Sequence, residues 1–121
     1  MLPGSNKLPV RPPHYRGRQT TRGGPVKYVV FYQSAPNVAV NARAHFAAHC
    51  AHWAEFVEAG ELELIGTFAD PQADGSMAVF KTKEAAEAFV KDDPFVLNGV
   101  VDSWRILGWN EALTHGPAPA S

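Results

Sequence analysis

Three histidines and one aspartate are the side chains of this sequence best suited to proton transfer or metal binding. His45, His49 and His52 are spaced at four and three residues, and Asp70 stands at the end of a later apolar segment. At about 100° per residue in a helix, the three imidazoles share one side. An imidazole titrates near neutral pH and is a common metal ligand, so this spacing suits either use. The third interpretation is that these histidines have no chemical function.

The histidines border a stripe of apolar side chains on the same predicted helix. Helical spacing places on one narrow face the residues Phe46, Cys50, Trp53 and Val57, with the histidines and Phe56 at its flank. We expect the stripe to face the core and the imidazoles to lie at its edge. Cys50 is the only cysteine, so no disulfide forms within the chain. His49 and His52 point away from it on a helix and cannot easily act as its base, so we expect Cys50 to be a core residue rather than a nucleophile.

Composition predicts one globular domain between two flexible ends. The chain has 121 residues, of which 45% are hydrophobic, enough for a genuine core. Residues 1–25 contain five basic side chains, five prolines and no acid, which predicts a disordered basic arm. The end, residues 112–121, has the composition of a flexible tail. The predicted domain is therefore residues 26–111.

Charge and hydropathy exclude several classes of partner. Outside the arm, six basic side chains face twelve acidic ones, which is a poor match for nucleic acid. No segment approaches the ~20 apolar residues of a membrane span, and the N-terminus has no apolar signal region. A lone cysteine fits a reducing environment, so we expect a cytoplasmic protein.

Hydrophobic periodicity predicts the element order β-α-β-β-α-β. The predicted strands are residues 26–32, 61–68, 76–81 and 100–109, and the predicted helices are residues 41–59 and 83–91. Gly60 is placed to end the first helix in a left-handed conformation. Thr82 is a good N-cap for the second helix, which Asp93-Pro94 ends. This order is the split βαβ arrangement of the α+β ferredoxin-like fold, with an antiparallel four-stranded sheet.

The strand patterns also predict a homodimer. The first and third predicted strands are apolar on both faces, whereas Glu61, Glu63, Asp102 and Arg105 place charges in the second and fourth. Two helices cover one face of such a sheet and leave the other exposed. Because burial is worth about 25 cal/mol per Å² of apolar surface, we expect two sheets to pack face to face in a dimeric α/β barrel. The alternative is that the basic arm covers this face.

Four segments in register resemble the YCII-related (YciI-like) family. They are residues 49–60, 68–71, 75–77 and 93–101, the last beginning Asp93-Pro94-Phe95 and containing Gly99. The similarity extends over about residues 26–110. It implies that His49 is the family histidine and that Asp70 is its partner in an active-site cleft. It further implies activity on small, often ring-containing molecules, as in dehydrochlorination or related eliminations.

A His/Asp pair supplies acid–base chemistry. The carboxylate fixes one imidazole tautomer and stabilises the imidazolium, which leaves the other ring nitrogen free as a base. No nucleophile accompanies the pair, so proton abstraction, isomerisation or elimination is favoured over acyl transfer. The alternative is that His49 is a packed histidine and Asp70 only begins an Asp-Pro turn.

Other side chains are candidates for substrate binding. They are Ser76, Asp93, Phe95 and Arg43, and each also has a structural interpretation: a turn neighbour, a helix end, a core aromatic and an exposed helix cation. Phe68, Trp104 and Trp109 are further candidates for an aromatic wall beside Phe95. We expect no nucleotide cofactor, because the sequence has no phosphate-binding glycine loop and no dinucleotide motif.

Three functional classes follow from these observations. The first is a small enzyme without a cofactor that performs acid–base chemistry on a small metabolite with His49 and Asp70. The second is a non-catalytic dimer that binds a ligand or a metal at its histidines. The third is a structural accessory domain that makes its contacts through the basic arm.

Overall fold

Four strands and four helices make up the part of the chain, residues 26–113, that the computed structural model describes. The strands are β1 (Val26–Ser34), β2 (Leu62–Thr67), β3 (Ser76–Phe80) and β4 (Val101–Asn110). The helices are α1 (Val38–Glu58), α2 (Pro71–Asp74), α3 (Lys83–Asp92) and α4 (Pro94–Leu97). The six longer elements follow the predicted order, and α2 and α4 are single turns added within the connections. The arm predicted for residues 1–25 and most of the predicted tail lie outside the described residues.

The strands form one sheet in the order β2-β3-β1-β4. β3 pairs antiparallel with both β1 and β2, so that Tyr32 lies opposite Ser76 and Leu64 lies opposite Val79. The strands that are apolar on both faces, β1 and β3, are the two central ones. The α+β ferredoxin-like arrangement predicted from the sequence is confirmed, and the residues Lys27–Trp109 form one contact unit.

One end of each long helix is formed as the sequence predicts, whereas α1 begins at Val38, three residues before the predicted start. After α1, Gly60 adopts φ 77°, and the backbone N–H groups of Gly60 and Glu61 donate to the carbonyls of Val57 and Phe56. This is a Schellman motif, in which a left-handed residue satisfies carbonyls that the helix leaves unpaired. Thr82 precedes α3, and its hydroxyl oxygen accepts a hydrogen bond from the Ala85 N–H at 3.1 Å.

The core lies between the two long helices and the inner face of the sheet. The inner face carries Tyr28, Val30 and Tyr32 of β1 with Ala78 and Phe80 of β3. Ala85, Ala86, Phe89 and Val90 of α3 pack against it. Phe80 and Phe89 are almost completely buried, and their ring centroids are 5.1 Å apart. This aromatic contact is the surface on which α1 must pack.

Only part of the predicted buried stripe of α1 faces the core, where Trp53 packs against the buried cluster. Phe46 and Val57 are 57% and 48% exposed, whereas His49, expected at the edge, is 8% exposed. The flanking Phe56 turns inward and makes edge-to-face contacts with Phe80 and Phe89 at 5.9 and 5.5 Å. Contacts with aromatic rings on α3 and β3 therefore hold the histidine side of α1 against the core.

The outer face of the sheet carries exposed apolar side chains. Leu64 is 63% exposed on β2, and Leu107 and Trp109 of β4 are 43% and 44% exposed. The Arg105 guanidinium lies over the Phe31 ring at 5.1 Å from its centroid, which places both side chains on this face. None of the helices within residues 26–113 is long and apolar enough to cross a membrane.

Candidate functional site

The imidazole of His49 forms a buried hydrogen bond with a carboxylate. Its Nδ1 lies 2.8 Å from Oδ1 of Asp93, a residue 44 positions away along the chain. Asp93 is fully buried and His49 is 8% exposed. Because an ionised carboxylate accepts hydrogen bonds only, Nδ1 carries the proton in this pair. Among the described residues Nε2 has no hydrogen-bond partner, so it is the nitrogen available to a ligand.

Asp93 is held by two further donors. Its Oδ2 accepts a hydrogen bond from the Tyr32 hydroxyl at 2.6 Å, and its Oδ1 also accepts from the backbone N–H of Phe95 at 3.0 Å. The local sequence places the carboxylate here, because Pro94 restricts Asp93 to an extended backbone that ends α3 and begins α4. Three donors around one buried carboxylate compensate for the lost water.

Tyr32 is a site residue that the sequence analysis missed. It reads as one of several apolar residues in the central strand, yet its hydroxyl completes the chain of hydrogen bonds from Tyr32 through Asp93 to His49. Burial raises the pKa of the Tyr32 hydroxyl far above its usual value, and the Asp93 charge and hydrogen bond raise it further. The available signal was that a buried tyrosine needs a partner for its hydroxyl.

Phe95 fixes the plane of the imidazole. The two rings are stacked with their centroids 3.8 Å apart and their planes 4° apart. The Phe89 ring meets His49 at an angle of 66° with a centroid separation of 6.3 Å. With one nitrogen bound to Asp93 and one face covered by Phe95, the ring has a defined orientation.

The structure gives Asp70 a different position from the one expected. Asp70 is exposed, and its Oδ1 accepts a hydrogen bond from the Ala73 N–H at 3.2 Å, which makes it the N-cap of the short helix α2. Within residues 26–113 no hydrogen bond joins Asp70 to His49, whose carboxylate partner is Asp93 instead. Both acids stand before a proline and cap a single helical turn, and only Asp93 lies beneath α1.

Two adjoining hollows open beside this network. The smaller hollow, about 260 Å³, is lined by His49 together with Phe46, Cys50, Trp53 and Met77, among others. The larger hollow, about 480 Å³, is lined by Ser34, Val38, Ala42, Asp70, Gln72 and Val100, among others. The hollows share four wall residues, Tyr32, Thr67, Ser76 and Phe95. Asp70 and His49 therefore face neighbouring compartments.

The other predicted binding residues divide into two groups. Ser76 and Phe95 lie in the shared wall, and Asp93 lies behind His49 as its partner. Arg43 is exposed and lines neither hollow. The predicted aromatic wall contains Phe95, but its other members are Phe46 and Trp53, which line the smaller hollow with it. Phe68, Trp104 and Trp109 line neither hollow.

Among the described residues, neither His52 nor Cys50 takes part in the hydrogen-bond network of His49. The Nε2–H of His52 donates to the Phe89 carbonyl at 2.9 Å, and the His52 ring stacks on that of Phe89. Cys50, expected in the core, is half-buried and lines the smaller hollow. No group of three His, Cys, Asp or Glu side chains in the described part of the chain is placed to hold a metal ion.

Comparisons with known proteins agree with this fold. The profile of the YCII-related domain matches residues 26–110. Among solved structures, the chain is similar to 5-chloro-2-hydroxyhydroquinone dehydrochlorinase from Burkholderia phenoliruptrix AC1100, in a complex with 2,5-dihydroxybenzoquinone. The TM-score is 0.55 at 18% sequence identity, over 69% of this chain and 92% of that chain. No curated protein matches the sequence. Since the profile spans most of the chain and the whole of the sheet, this protein belongs to the YCII-related domain family.

Proposed function

We propose that this domain is a small-molecule enzyme in which His49, oriented by Asp93, transfers a proton on a ring-containing substrate. The observation that carries the proposal is the Nδ1–Oδ1 hydrogen bond of 2.8 Å in a residue that also lines a hollow. The reaction is an elimination, an isomerisation or a related proton transfer.

The hydrogen-bond network supports a base at one defined atom. Asp93 holds the proton on Nδ1 of His49, which leaves the lone pair of Nε2 to accept a proton from the substrate. The imidazolium that forms is then stabilised by the carboxylate 2.8 Å away. A positioned acid–base group of this kind contributes about 10²- to 10⁴-fold to a rate.

The surroundings of His49 favour proton transfer over acyl transfer. Ser76 lies in the shared wall, but no hydrogen bond among the described residues joins its hydroxyl to His49. Cys50 follows His49 directly on α1, and adjacent helical side chains diverge. A serine or cysteine nucleophile needs a base within hydrogen-bond reach, so neither residue has the required arrangement.

A flat ring fits the smaller hollow. Aromatic side chains line it, among them Phe46, Trp53 and Phe95. Offset stacking and edge contacts of such side chains favour a ring substrate. The structurally similar dehydrochlorinase was solved with 2,5-dihydroxybenzoquinone, which supports the same substrate class here. We assign Ser76 and Phe95 to substrate binding and Asp70 to the rim of the larger hollow as a second polar group. Arg43 is left out of the site.

The test compares His49→Gln with His45→Ala in the full chain. Glutamine retains an N–H donor for Asp93 but accepts no proton near neutral pH, whereas His45 lies one turn away on the same helix. The probe is 5-chloro-2-hydroxyhydroquinone, and the measurement is chloride release, since net loss of HCl requires removal of one proton. We expect His49→Gln to lower the rate about 10²-fold or more, and His45→Ala to retain it.

Calorimetric titration with 2,5-dihydroxybenzoquinone separates the catalytic function from its alternatives. Binding by the unmodified protein without chloride release indicates a non-catalytic ligand-binding domain. Chloride release that survives in His49→Gln contradicts the role of this imidazole. Absence of both binding and release favours the structural accessory domain.

We also propose that two copies pair through their outer sheet faces. Leu64 is exposed there on one edge strand, and Leu107 and Trp109 are exposed on the other. Exposed apolar side chains on one face support an interaction site. The other candidate for this face, the arm of residues 1–25, lies outside the described residues.

A further inference from the structure

We propose that the ligand of this site is uncharged and has two parts, an aromatic ring beside His49 and an apolar substituent in the larger hollow. This inference rests on the proposed function for the position of the ring. It adds the chemical class of the remainder of the molecule, which determines specificity.

Volume is the first argument. An apolar cavity of about 150 Å³ holds a benzene molecule, so the smaller hollow of about 260 Å³ accommodates one substituted ring. The larger hollow adds about 480 Å³ beside it, and four residues line both hollows. A single-ring ligand leaves this second space filled only with water. A ligand that extends past Ser76 and Phe95 uses both compartments.

Charge is the second argument. Neither hollow is lined by a lysine or an arginine. Arg43, the cation predicted for the site, lines neither hollow, and Asp70 is among the residues that line the larger one. A carboxylate or phosphate on the ligand therefore loses water without meeting a lysine or an arginine, and in the larger hollow it approaches Asp70. An uncharged ligand avoids both penalties.

Two polar side chains of the larger hollow are the third argument, because the protein itself already uses them. The Ser34 hydroxyl donates to the Pro71 carbonyl at 2.7 Å. The side chain of Gln72 accepts from the Val38 N–H and donates to the Ala35 carbonyl, each at 2.9 Å. With these two groups satisfied, this part of the wall offers a ligand apolar contact with Val38, Ala42 and Val100. The substituent is therefore hydrocarbon-like.

The experiment measures by calorimetry the affinities of three phenols that share one ring. They are phenol, 4-pentylphenol and 5-(4-hydroxyphenyl)pentanoate, which differ in an apolar extension and in its terminal charge. We expect 4-pentylphenol to bind about tenfold tighter than phenol or better, because the extension loses contact with water. The carboxylate analogue should bind more weakly than 4-pentylphenol.

Two matched variants locate the extension. Ala42→Phe places a ring in the larger hollow and should reduce the affinity for 4-pentylphenol to that for phenol, with phenol binding unchanged. Ala48→Phe, at an exposed position on the same helix that lines neither hollow, should alter neither affinity. If Ala42→Phe does not fold, methyl NMR shifts of Val38 and Val100 in the unmodified protein report the same contact. They should change with 4-pentylphenol and not with phenol.

The outcomes separate this inference from the proposed function. Equal affinities for phenol and 4-pentylphenol overturn the two-part ligand, and so does tighter binding of the carboxylate analogue than of 4-pentylphenol. This holds even if His49→Gln abolishes chloride release. Conversely, one combination of results supports the ligand class and refutes the acid–base role of His49. In that combination 4-pentylphenol binds tighter than phenol and Ala42→Phe removes this difference, while His49→Gln leaves chloride release unchanged.

Discussion

At the scale of single residues, the site is a chain of three side chains from three parts of the fold. Tyr32 comes from the central strand β1, His49 from the helix α1, and Asp93 from the junction of α3 and α4. Each contact is short, at 2.6 Å for Tyr32 with Asp93 and 2.8 Å for His49 with Asp93. A buried carboxylate is stable only when its hydrogen bonds are satisfied, so each member of this chain is also structural.

Tyr32 is expected to make the protein less stable at alkaline pH. Its pKa is raised in the folded state, so above pH ~10 an unfolded tyrosine releases its proton while the folded Tyr32 retains it. The free energy of unfolding therefore falls as pH rises past ~10. Tyr32→Phe removes this part of the dependence and lowers stability at neutral pH by about 1–3 kcal/mol, because Asp93 loses a donor.

Urea unfolding at a series of pH values measures both effects. Identical slopes of stability against pH in Tyr32→Phe and the unmodified protein contradict the assignment. So does an unchanged stability at neutral pH.

At the scale of elements, short motifs place these side chains. The Asp-Pro pair occurs twice, at residues 70–71 and 93–94, and each aspartate caps one helical turn. The turn α2 is followed directly by Gly75, which adopts φ 74° and is buried. A Cβ at Gly75 lies 1.8 Å from the backbone oxygen of Tyr32, so β3 can approach β1 here only without a side chain.

Gly75→Ala is therefore expected to destabilise the protein strongly. The left-handed φ alone costs about 1–3 kcal/mol for a residue with a side chain, and the contact with the Tyr32 oxygen adds to this. Gly66→Ala is the matched control in the neighbouring strand, because a Cβ there meets no atom within 4 Å. It should leave stability unchanged or raise it by up to about 1 kcal/mol. Thermal unfolding monitored by circular dichroism measures both, and equal midpoints contradict the argument.

At the scale of the whole molecule, the two faces of the sheet have different surroundings. The inner face and the helices enclose the core and the two hollows. The outer face presents the Arg105–Phe31 contact among exposed apolar side chains. A second copy with the same outer face would bury these side chains, and such an interface uses the same patch on both subunits.

Leu64→Glu tests the dimer. Leu64 is 63% exposed in the single chain, so a charge there leaves the fold intact but disfavours contact between two outer faces. Leu97→Glu is the control, since Leu97 is 65% exposed on α4, on the helical side of the sheet. Sedimentation equilibrium at micromolar concentration should give twice 13.1 kDa for the unmodified protein and the control, and a lower mass for Leu64→Glu. A strictly monomeric unmodified protein refutes the dimer.

The sequence by itself determined the order of the elements, the two central strands, and the caps at Thr82 and Gly60. These features depend on side chains a few residues apart, where periodicity and local hydrogen bonds decide the outcome. Only the tertiary structure decided which of two Asp-Pro acids holds the imidazole and that a strand tyrosine joins it. Those choices depend on contacts across 44 and 61 positions of the chain, and no local pattern distinguishes the buried aspartate from the exposed one.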